Sequence, residues 1–483
     1  MNPAIEEILK EYKKIEAISH AERVMHWDIE VMMPELGIDY RSESLATIEI
    51  MQREFYLKLS EKVNSINGEL DDLEKGILRT LKRTIKYYSL PEDLIKRIEK
   101  VTTKSPVVWR EAKKKSDFSM FVPSLKEIVS LTREMAEKLG YEKHPYNALM
   151  DLYEEGITVD EANDLFSKIL IETTKILKKL ENSEYSLKYS LENKKYDSKK
   201  MENVNKEIIK ILGMPDKRFR MDISSHPFTI GISPDDVRIT TRYEGINFKS
   251  TLFSTIHESG HAIYELQKDP SLFWTPVFRA PSLGFHESQS RFFENIIGRS
   301  REFVHILYPI LKKNLRFIEK FDEEDIYYYF NNVHPSLIRV DADEVTYNLH
   351  IALRYEIEKK LIEGSIDTKD LPEIWNEFME KYVGISPKND SEGVLQDIHW
   401  SQGSIGYFPT YTFGNVISAI IRNSLNDLYV RVEENDIQSI KEYLRQKIHR
   451  YGSIYSPKEL LMKSFNETYN PEYLIRYFNE KYK

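Results

Sequence analysis

Cysteine is absent from the 483 residues of this chain. Its absence excludes disulfide bonds, thiolate zinc sites and cysteine nucleophiles, so a bound metal would need His, Asp or Glu ligands. Long apolar runs are also missing. No uninterrupted apolar stretch approaches the roughly 18 residues of a transmembrane helix, and the charged N-terminal segment has no apolar signal core. We therefore expect a cytoplasmic protein with no membrane partner.

An excess of positive charge is missing as well. The formal net charge is −9, and the sequence pI is about 5.9. This balance argues against nucleic acid as a partner. Hydrophobic residues make up 41% and charged residues 30% of the chain, which is an ordinary composition for a protein with a large buried core.

Helical periodicity dominates the pattern and predicts a mainly α fold. Predicted helices cover 3–32, 42–65, 69–88, 92–102, 124–139 and 159–181, and the chain is helical again from 247 onward. The polar stretch 182–200 is predicted to be a surface connection between two lobes. The alternating run over 237–241 predicts a short strand in a possible hairpin, directly before the next helix.

Residues 257–261 read His-Glu-Ser-Gly-His, the HExxH pattern. A helix turns by about 100° and rises about 1.5 Å per residue, so His257 and His261 can reach one zinc ion from the same face. Glu258 lies beside that face, close enough to take a proton from a metal-bound water. A chance match on a polar surface helix is the alternative. The apolar residues at near-helical spacing through the motif argue against it.

Two histidines leave a zinc in need of one more protein ligand and an open position. Glu287 is the leading candidate, because it opens a helical stretch after the proline-rich loop 270–284. Its alternative role is a first-turn carboxylate favoured by the helix dipole. Glu294 lies seven residues further on, on the same face. It competes as the ligand, or it accepts a hydrogen bond and orients a ligand imidazole.

Five sequence blocks together resemble the Taq-carboxypeptidase family of HExxH zinc metallocarboxypeptidases. The blocks are Asp236-Val237-Arg238-Ile239-Thr240, the HExxH at 257–261, His286-Glu287-Ser288-Gln289, Ile338-Arg339-Val340-Asp341-Ala342-Asp343 and Gly393-Val394-Leu395-Gln396-Asp397-Ile398-His399-Trp400. Further matches lie at 27–28, 33–34, 226–228 and 406–411, so the resemblance extends over nearly the whole chain.

The resemblance implies a large, helical, two-lobed body with a deep central groove and a small β-sheet element beside the HExxH helix. A single catalytic domain would span 1–483, with a helical lobe over 1–182 walling the groove and a lobe over 201–483 carrying the zinc. The implied activity is release of single amino acids from the free C-terminus of peptides, with broad specificity. One zinc per chain, for which cobalt can substitute, Glu287 as its third ligand and a homodimer are also implied.

Other residues are candidates for transition-state and substrate contacts. The oxyanion needs a donor besides zinc, for which likeness to related sites favours Tyr411 and then Tyr407. A packed aromatic turn is the alternative for both tyrosines. A guanidinium suits the C-terminal carboxylate of the substrate, and Arg339 is the leading candidate. Its alternative is an ion pair with Asp343, four residues on.

Arg238 is the second candidate for the carboxylate, unless it pairs with Asp236 or Asp341. His399 is a candidate for the carboxylate or the oxyanion, and its alternative is a hydrogen-bonded core histidine. His226 is also expected to point into the groove.

The strand over 236–240 is predicted to offer an edge to which the substrate backbone adds. The remaining histidines of this region are predicted to be structural, namely His305, His334 and His350. Two rival functions stay open, an endo-acting helical oligopeptidase and a catalytically inactive peptide-binding homologue.

Overall fold

The computed structural model of this chain describes residues 1–187 and 189–483, and Lys188, inside the predicted connection 182–200, lies outside the described residues. Helices hold 68% of the residues and strands 3%, which confirms the mainly α fold class. The α-helices of the first half are α1 (Pro3–Val31), α2 (Ile38–Ser65), α3 (Asp72–Tyr88), α4 (Glu92–Lys115), α5 (Val122–Leu139), α6 (Tyr146–Asp151), α7 (Val159–Leu180) and α8 (Ser198–Ile211). Those of the second half are α9 (Phe248–Gln267), α10 (Leu283–Arg291), α11 (Arg301–Asn314), α12 (Glu323–Phe330), α13 (Tyr347–Glu363), α14 (Leu371–Val383), α15 (Pro409–Ser424), α16 (Leu428–Glu433), α17 (Ile437–Lys447), α18 (Pro457–Phe465) and α19 (Glu472–Lys481).

The helix predicted over 92–102 is longer in the structure. It continues as α4 through Pro106 to Lys115. Proline inside a helix costs about 3 kcal/mol because it removes a backbone hydrogen bond and crowds the preceding turn. Buried side chains on both sides of Pro106, namely Val101, Trp109 and Ala112, hold the helix together across that position.

A three-stranded sheet lies between α8 and α9 in the chain. Its strands are β1 (Phe219–Ile223), β2 (Thr229–Ser233) and β3 (Asp236–Thr241), in the spatial order β1-β3-β2. β2 and β3 form the expected antiparallel hairpin, and β1 pairs with β3 in parallel. The prediction that 236–240 form an edge strand is therefore wrong. β3 has a neighbour on each side, so its backbone groups are not open to a substrate.

The described residues form two compact units, each assembled from separate stretches of chain. The first unit contains 1–88, 189–330 and 417–468. In its core, α1, α2 and α3 pack through side chains that include Ile8, Tyr56 and Leu81. This unit also contains the sheet, α9 and α10.

The second unit contains 89–187, 331–416 and 469–483. Its central helix is α13, where Leu349, Ile351 and Leu353 are fully buried. The ring of Tyr355 on α13 stacks on Phe166 of α7, with the centroids 4.8 Å apart. These units do not follow the predicted lobes 1–182 and 201–483, because each takes residues from both sides of that division. One catalytic domain over 1–483, with a central groove, stays a prediction.

None of the helices in the described part of the chain has both the length and the apolar character needed to cross a bilayer.

Candidate active site

The HExxH residues lie on α9, which is fastened to the sheet at its N-terminal end. The side chain of Asn247 caps this end by accepting from the Ser250 amide at 3.4 Å. The hydroxyl of Thr241, the last residue of β3, lies 3.1 Å from the hydroxyls of both Thr251 and Thr255 on α9. These bonds hold the first turns of α9 against β3.

α9 and α10 approach each other closely at Gly260, which lies between the two motif histidines. A Cβ atom at this position would lie 2.6 Å from the carbonyl oxygen of Gln289 and 2.7 Å from the Cα of Ser290. Only glycine permits this contact between backbones. It brings Glu287 on α10 next to the histidines of α9.

His257, His261 and Glu287 offer three ligand atoms that all lie within 4.8 Å of one another. The Oε2 of Glu287 is 3.6 Å from the Nε2 of His257 and 3.4 Å from the Nε2 of His261. A tetrahedral ion with ligands at about 2.0–2.1 Å places ligand atoms about 3.3–3.4 Å apart. Two imidazole nitrogens and one carboxylate oxygen at these separations fit a zinc or cobalt ion with one position left open.

Glu294 bonds to the far side of His257. Its Oε2 lies 2.8 Å from the Nδ1 of His257, and its Oε1 accepts from Arg299 at 3.0 Å. The residue lies in a π-helical segment, Phe292–Ile297, that continues α10. Of the two alternatives for Glu294, this geometry matches the acceptor that orients an imidazole.

Charge holds both carboxylates in the ionised form. Burial would raise the pKa of Glu287, but Arg291, whose Nε donates to it at 2.6 Å, and His257 bring this pKa well below its usual range. Burial likewise opposes ionisation of Glu294, and the hydrogen bond with His257 and the Arg291 charge outweigh it and lower the pKa to about 2.

The two imidazoles differ in their surroundings. Burial by itself would lower the pKa of His257, but the carboxylates of Glu287 and Glu294 raise it to about 9. Burial and the neighbouring His286 lower the pKa of His261 to about 4. A neutral imidazole is the form that binds a metal.

Glu258 is 8% exposed, and Thr229 of β2 holds its carboxylate. The Thr229 hydroxyl donates to the Oε2 of Glu258 at 2.6 Å and also lies 2.9 Å from the carbonyl oxygen of Glu258. Burial raises the pKa of Glu258. The bond from Thr229 fixes Oε2, and within the described residues no hydrogen bond reaches the other oxygen, Oε1.

A second cluster of charged and aromatic residues lies in the second unit, around Arg339. The Nε of Arg339 donates to Asp397 at 2.9 Å, and its Nη1 donates to the Tyr347 hydroxyl at 3.0 Å. Arg354, which is fully buried, donates to the other oxygen of Asp397 at 2.7 Å. The expected alternative, an ion pair between Arg339 and Asp343, is not what the structure shows, since Asp343 instead accepts from the Thr346 hydroxyl at 2.7 Å.

His399 and Tyr411 meet beside this cluster, with the Nε2 and the hydroxyl oxygen 3.3 Å apart. The ring of Tyr407 lies 5.3 Å from that of Tyr411, and the Arg339 guanidinium lies 5.2 Å from the Tyr411 ring. Burial lowers the pKa of His399 to about 4. These contacts are compatible with both alternatives for the two tyrosines, donation to the oxyanion and packing in an aromatic turn.

Residues 7–482 match the model of the carboxypeptidase Taq (M32) metallopeptidase family. The chain belongs to this family. It is 46% identical to thermostable carboxypeptidase 1 of Pyrococcus furiosus over 493 aligned positions, which cover 100% of this chain and 99% of the relative. It is 34% identical to carboxypeptidase 1 of Bacillus subtilis over 487 positions, covering 97% and 96% of the two chains.

Solved structures agree with this assignment. The structure of the Pyrococcus furiosus carboxypeptidase matches with a TM-score of 0.98 at 45% identity, over 100% of this chain and 99% of that one. Trypanosoma cruzi metallocarboxypeptidase 1 matches with a TM-score of 0.93 at 34% identity, over 99% of each chain. The protein is thus a metallocarboxypeptidase, a hydrolase of peptides.

Two further residues predicted to bind substrate, Arg238 and His226, lie in the first unit of this metallocarboxypeptidase. Arg238 on β3 forms a two-pronged pair with Asp236 at 2.7 and 2.6 Å, and its guanidinium lies 4.5 Å from the Trp27 ring. This is one of the pairings that the sequence left open for Arg238. His226 is exposed in the loop between β1 and β2, where its carbonyl accepts from the Ser224 hydroxyl at 2.5 Å.

The three histidines predicted to be structural lie elsewhere. His305 is exposed beside Glu323 at 3.1 Å, His334 lies 2.7 Å from Asn332, and His350 is fully buried.

Sequence reasoning missed three contributors to these clusters. Thr229 is 29 residues before Glu258, Asp397 is 58 residues after Arg339, and Glu265 reaches His286 across 21 residues. Asp397 lies inside a block that carried the family resemblance, which was a usable signal for it. No local pattern marks Thr229 or Glu265.

Proposed function

We propose that this metallocarboxypeptidase is zinc-dependent and releases single amino acids from the free C-terminus of peptides with broad specificity. The observation that carries the proposal is the convergence of His257, His261 and Glu287 at separations that suit a tetrahedral ion. Cobalt, which accepts the same donors, is expected to substitute. Peptides with a free C-terminus are the proposed substrates. The homodimer and the cytoplasmic location stay predictions.

A divalent cation on these three ligands would polarise the scissile carbonyl and acidify a water molecule. In our proposal Glu258 takes the proton of the attacking water on its free Oε1 and later delivers it to the leaving amine. Thr229 keeps the other carboxylate oxygen in place, so the same oxygen serves both transfers. Arg291 and Glu294 hold Glu287 and His257 in the geometry that the ion requires.

The roles proposed for the second unit are substrate contacts. Arg339 would bind the C-terminal carboxylate, with Asp397 keeping its guanidinium in one orientation. Tyr411, and second Tyr407, would donate to the oxyanion, and His399 would assist there or at the carboxylate. Removal of one oxyanion donor typically costs about 2.7–4 kcal/mol. Arg238 and His226 remain secondary candidates, as they were in the sequence.

Digestion of one defined peptide tests the activity. The peptide is offered as a free acid and as a C-terminal amide, and the products are followed by mass spectrometry. We expect a ladder of products shortened one residue at a time from the free acid only. Internal fragments from both forms would instead support the endo-acting oligopeptidase.

Glu258→Gln tests the proposed proton transfer and the inactive-homologue alternative together. Loss of general base catalysis typically lowers the rate by about 10²–10⁴-fold. We expect this loss in kcat, while zinc content by metal analysis stays at the wild-type level. Turnover at the wild-type rate would refute the assigned role of Glu258.

A further inference from the structure

The two candidate ligand histidines are supported in different ways. A histidine that binds a metal almost always donates its second ring N–H to an acceptor, which sets the tautomer and the ring orientation. His257 has this partner in Glu294 at 2.8 Å. The Nδ1 of His261 is buried and lacks a hydrogen-bond partner anywhere in 1–187 and 189–483. No protein group therefore orients His261 through its Nδ1, and the contacts of its ring faces become important.

The ring of His286 covers one face of His261. The two imidazoles are stacked, with their centroids 4.4 Å apart and their planes only 16° from parallel. His286 is the residue before Glu287 on α10, so one helical turn supplies both the candidate carboxylate ligand and the ring that backs a candidate histidine ligand. Rotation of the His261 ring would break this stack.

A hydrogen bond to Glu265 fixes the position of the His286 ring. Its Nε2 lies 3.0 Å from the Oε1 of Glu265, and the Nζ of Lys268 lies 2.6 Å from the other oxygen of Glu265. Lys268 is 5% exposed, and burial of its charge depends on this pairing. Gly231 on β2 lies against the Glu265 carboxylate. A Cβ atom at residue 231 would clash with this carboxylate, so the glycine leaves room for it. Residues of α9, β2 and α10 together thus determine the position of His286.

We propose that His286 is a positioning residue, whose stacked ring holds His261 in the orientation that binds the metal ion. The inference rests on the proposed function, in which His261 is a ligand. It predicts that the aromatic ring of residue 286 matters for metal affinity and that its hydrogen bond to Glu265 matters less.

Two substitutions separate the ring from the hydrogen bond. His286→Gln keeps a donor near the position of Nε2 for Glu265 but removes the ring, and His286→Phe keeps a ring but removes the donor. His305→Ala is the matched control, because it removes an imidazole that is 71% exposed. Zinc affinity is measured by competition with a chromogenic chelator, and the absorption spectrum of the cobalt-loaded protein reports the geometry at the ion. Circular dichroism of each metal-free variant verifies the fold.

Loss of an outer partner of a metal ligand typically costs about 10–100-fold in affinity. We expect His286→Gln to raise the zinc Kd by this factor and to alter the cobalt spectrum. His286→Phe and His305→Ala should bind zinc with close to the wild-type affinity. Equal affinities in both His286 variants, or a stronger loss in His286→Phe, would overturn the positioning role.

Failure of the underlying function looks different. A wild-type protein that binds no zinc, or whose affinity survives His261→Ala, would contradict the proposed metal site itself. A wild type that binds zinc normally, beside His286 variants that bind it equally well, would contradict only the inference about His286.

Discussion

Gly260→Ala is the substitution whose effect follows most directly from the structure. The added Cβ would lie 2.6 Å from the carbonyl oxygen of Gln289, whereas ordinary van der Waals contact begins at 3.4 Å. Because the obstacle is backbone, α9 and α10 must separate by about 0.8 Å. Metal–ligand distances normally lie within about 0.2 Å of their usual values. The shift would therefore move Glu287 out of reach of an ion held by His257 and His261.

The substitution is expected to change both the stability of the fold and the affinity for zinc. Overpacking of this kind costs about 1–3 kcal/mol of folding free energy, so the apparent midpoint of unfolding should fall. Displacement of a ligand should harm metal binding more than loss of an outer partner does. We therefore expect the zinc Kd to rise by more than about 100-fold.

The assay pairs a chelator competition for zinc with thermal unfolding of the metal-free protein. Gly37→Ala is the matched control, since the nearest atom to its added Cβ, at 3.1 Å, belongs to the flexible side chain of Met33. It should change neither readout appreciably. A Gly260→Ala protein with wild-type zinc affinity would show that the contact between α9 and α10 does not set the position of Glu287.

Two other substitutions test the proposed roles in catalysis and recognition. Thr229→Val should lower kcat by about 10- to 100-fold with little change in KM or zinc content, because a hydrogen bond to a charged group is worth about 1.5–3 kcal/mol. Thr229→Ser should restore the rate, and a Val variant as fast as wild type would remove Thr229 from the mechanism. Arg339→Ala should lower kcat/KM at least about tenfold for free-acid peptides through a higher KM. Any trace cleavage of amidated peptides by the wild type should not fall further, and an equal loss on both substrates would contradict carboxylate binding by Arg339.

Several elements were predictable because they depend on short stretches of chain. The helix predicted over 3–32 is α1, Pro3–Val31, and the strand predicted over 237–241 is β3, Asp236–Thr241. Each carries its own periodicity and its own end signals. The position of β3 in the sheet was not predictable in this way. It depends on β1, which pairs with β3 in parallel. Parallel strands are joined by a long connection and not by a tight turn, so no turn motif in the sequence indicates the pairing.

The second unit illustrates the same limit. The spacing of Arg339 and Asp343 suggested a pair on one helix face, but Arg339 lies in a short 3₁₀ turn before α13, and its carboxylate partner is Asp397. A spacing of four residues indicates only local pairs and cannot reveal a partner 58 positions away.

The sequence alone determined the kind of chemistry available to this chain. With no thiol present and two histidines one helical turn apart, the backbone geometry of a single helix places two imidazole nitrogens together, whatever the rest of the fold does. Only the tertiary structure decided what completes and supports that pair. Glu287, Glu294, Thr229 and His286 reach it because α9 packs against β2 and α10, and such long-range packing depends on the whole chain.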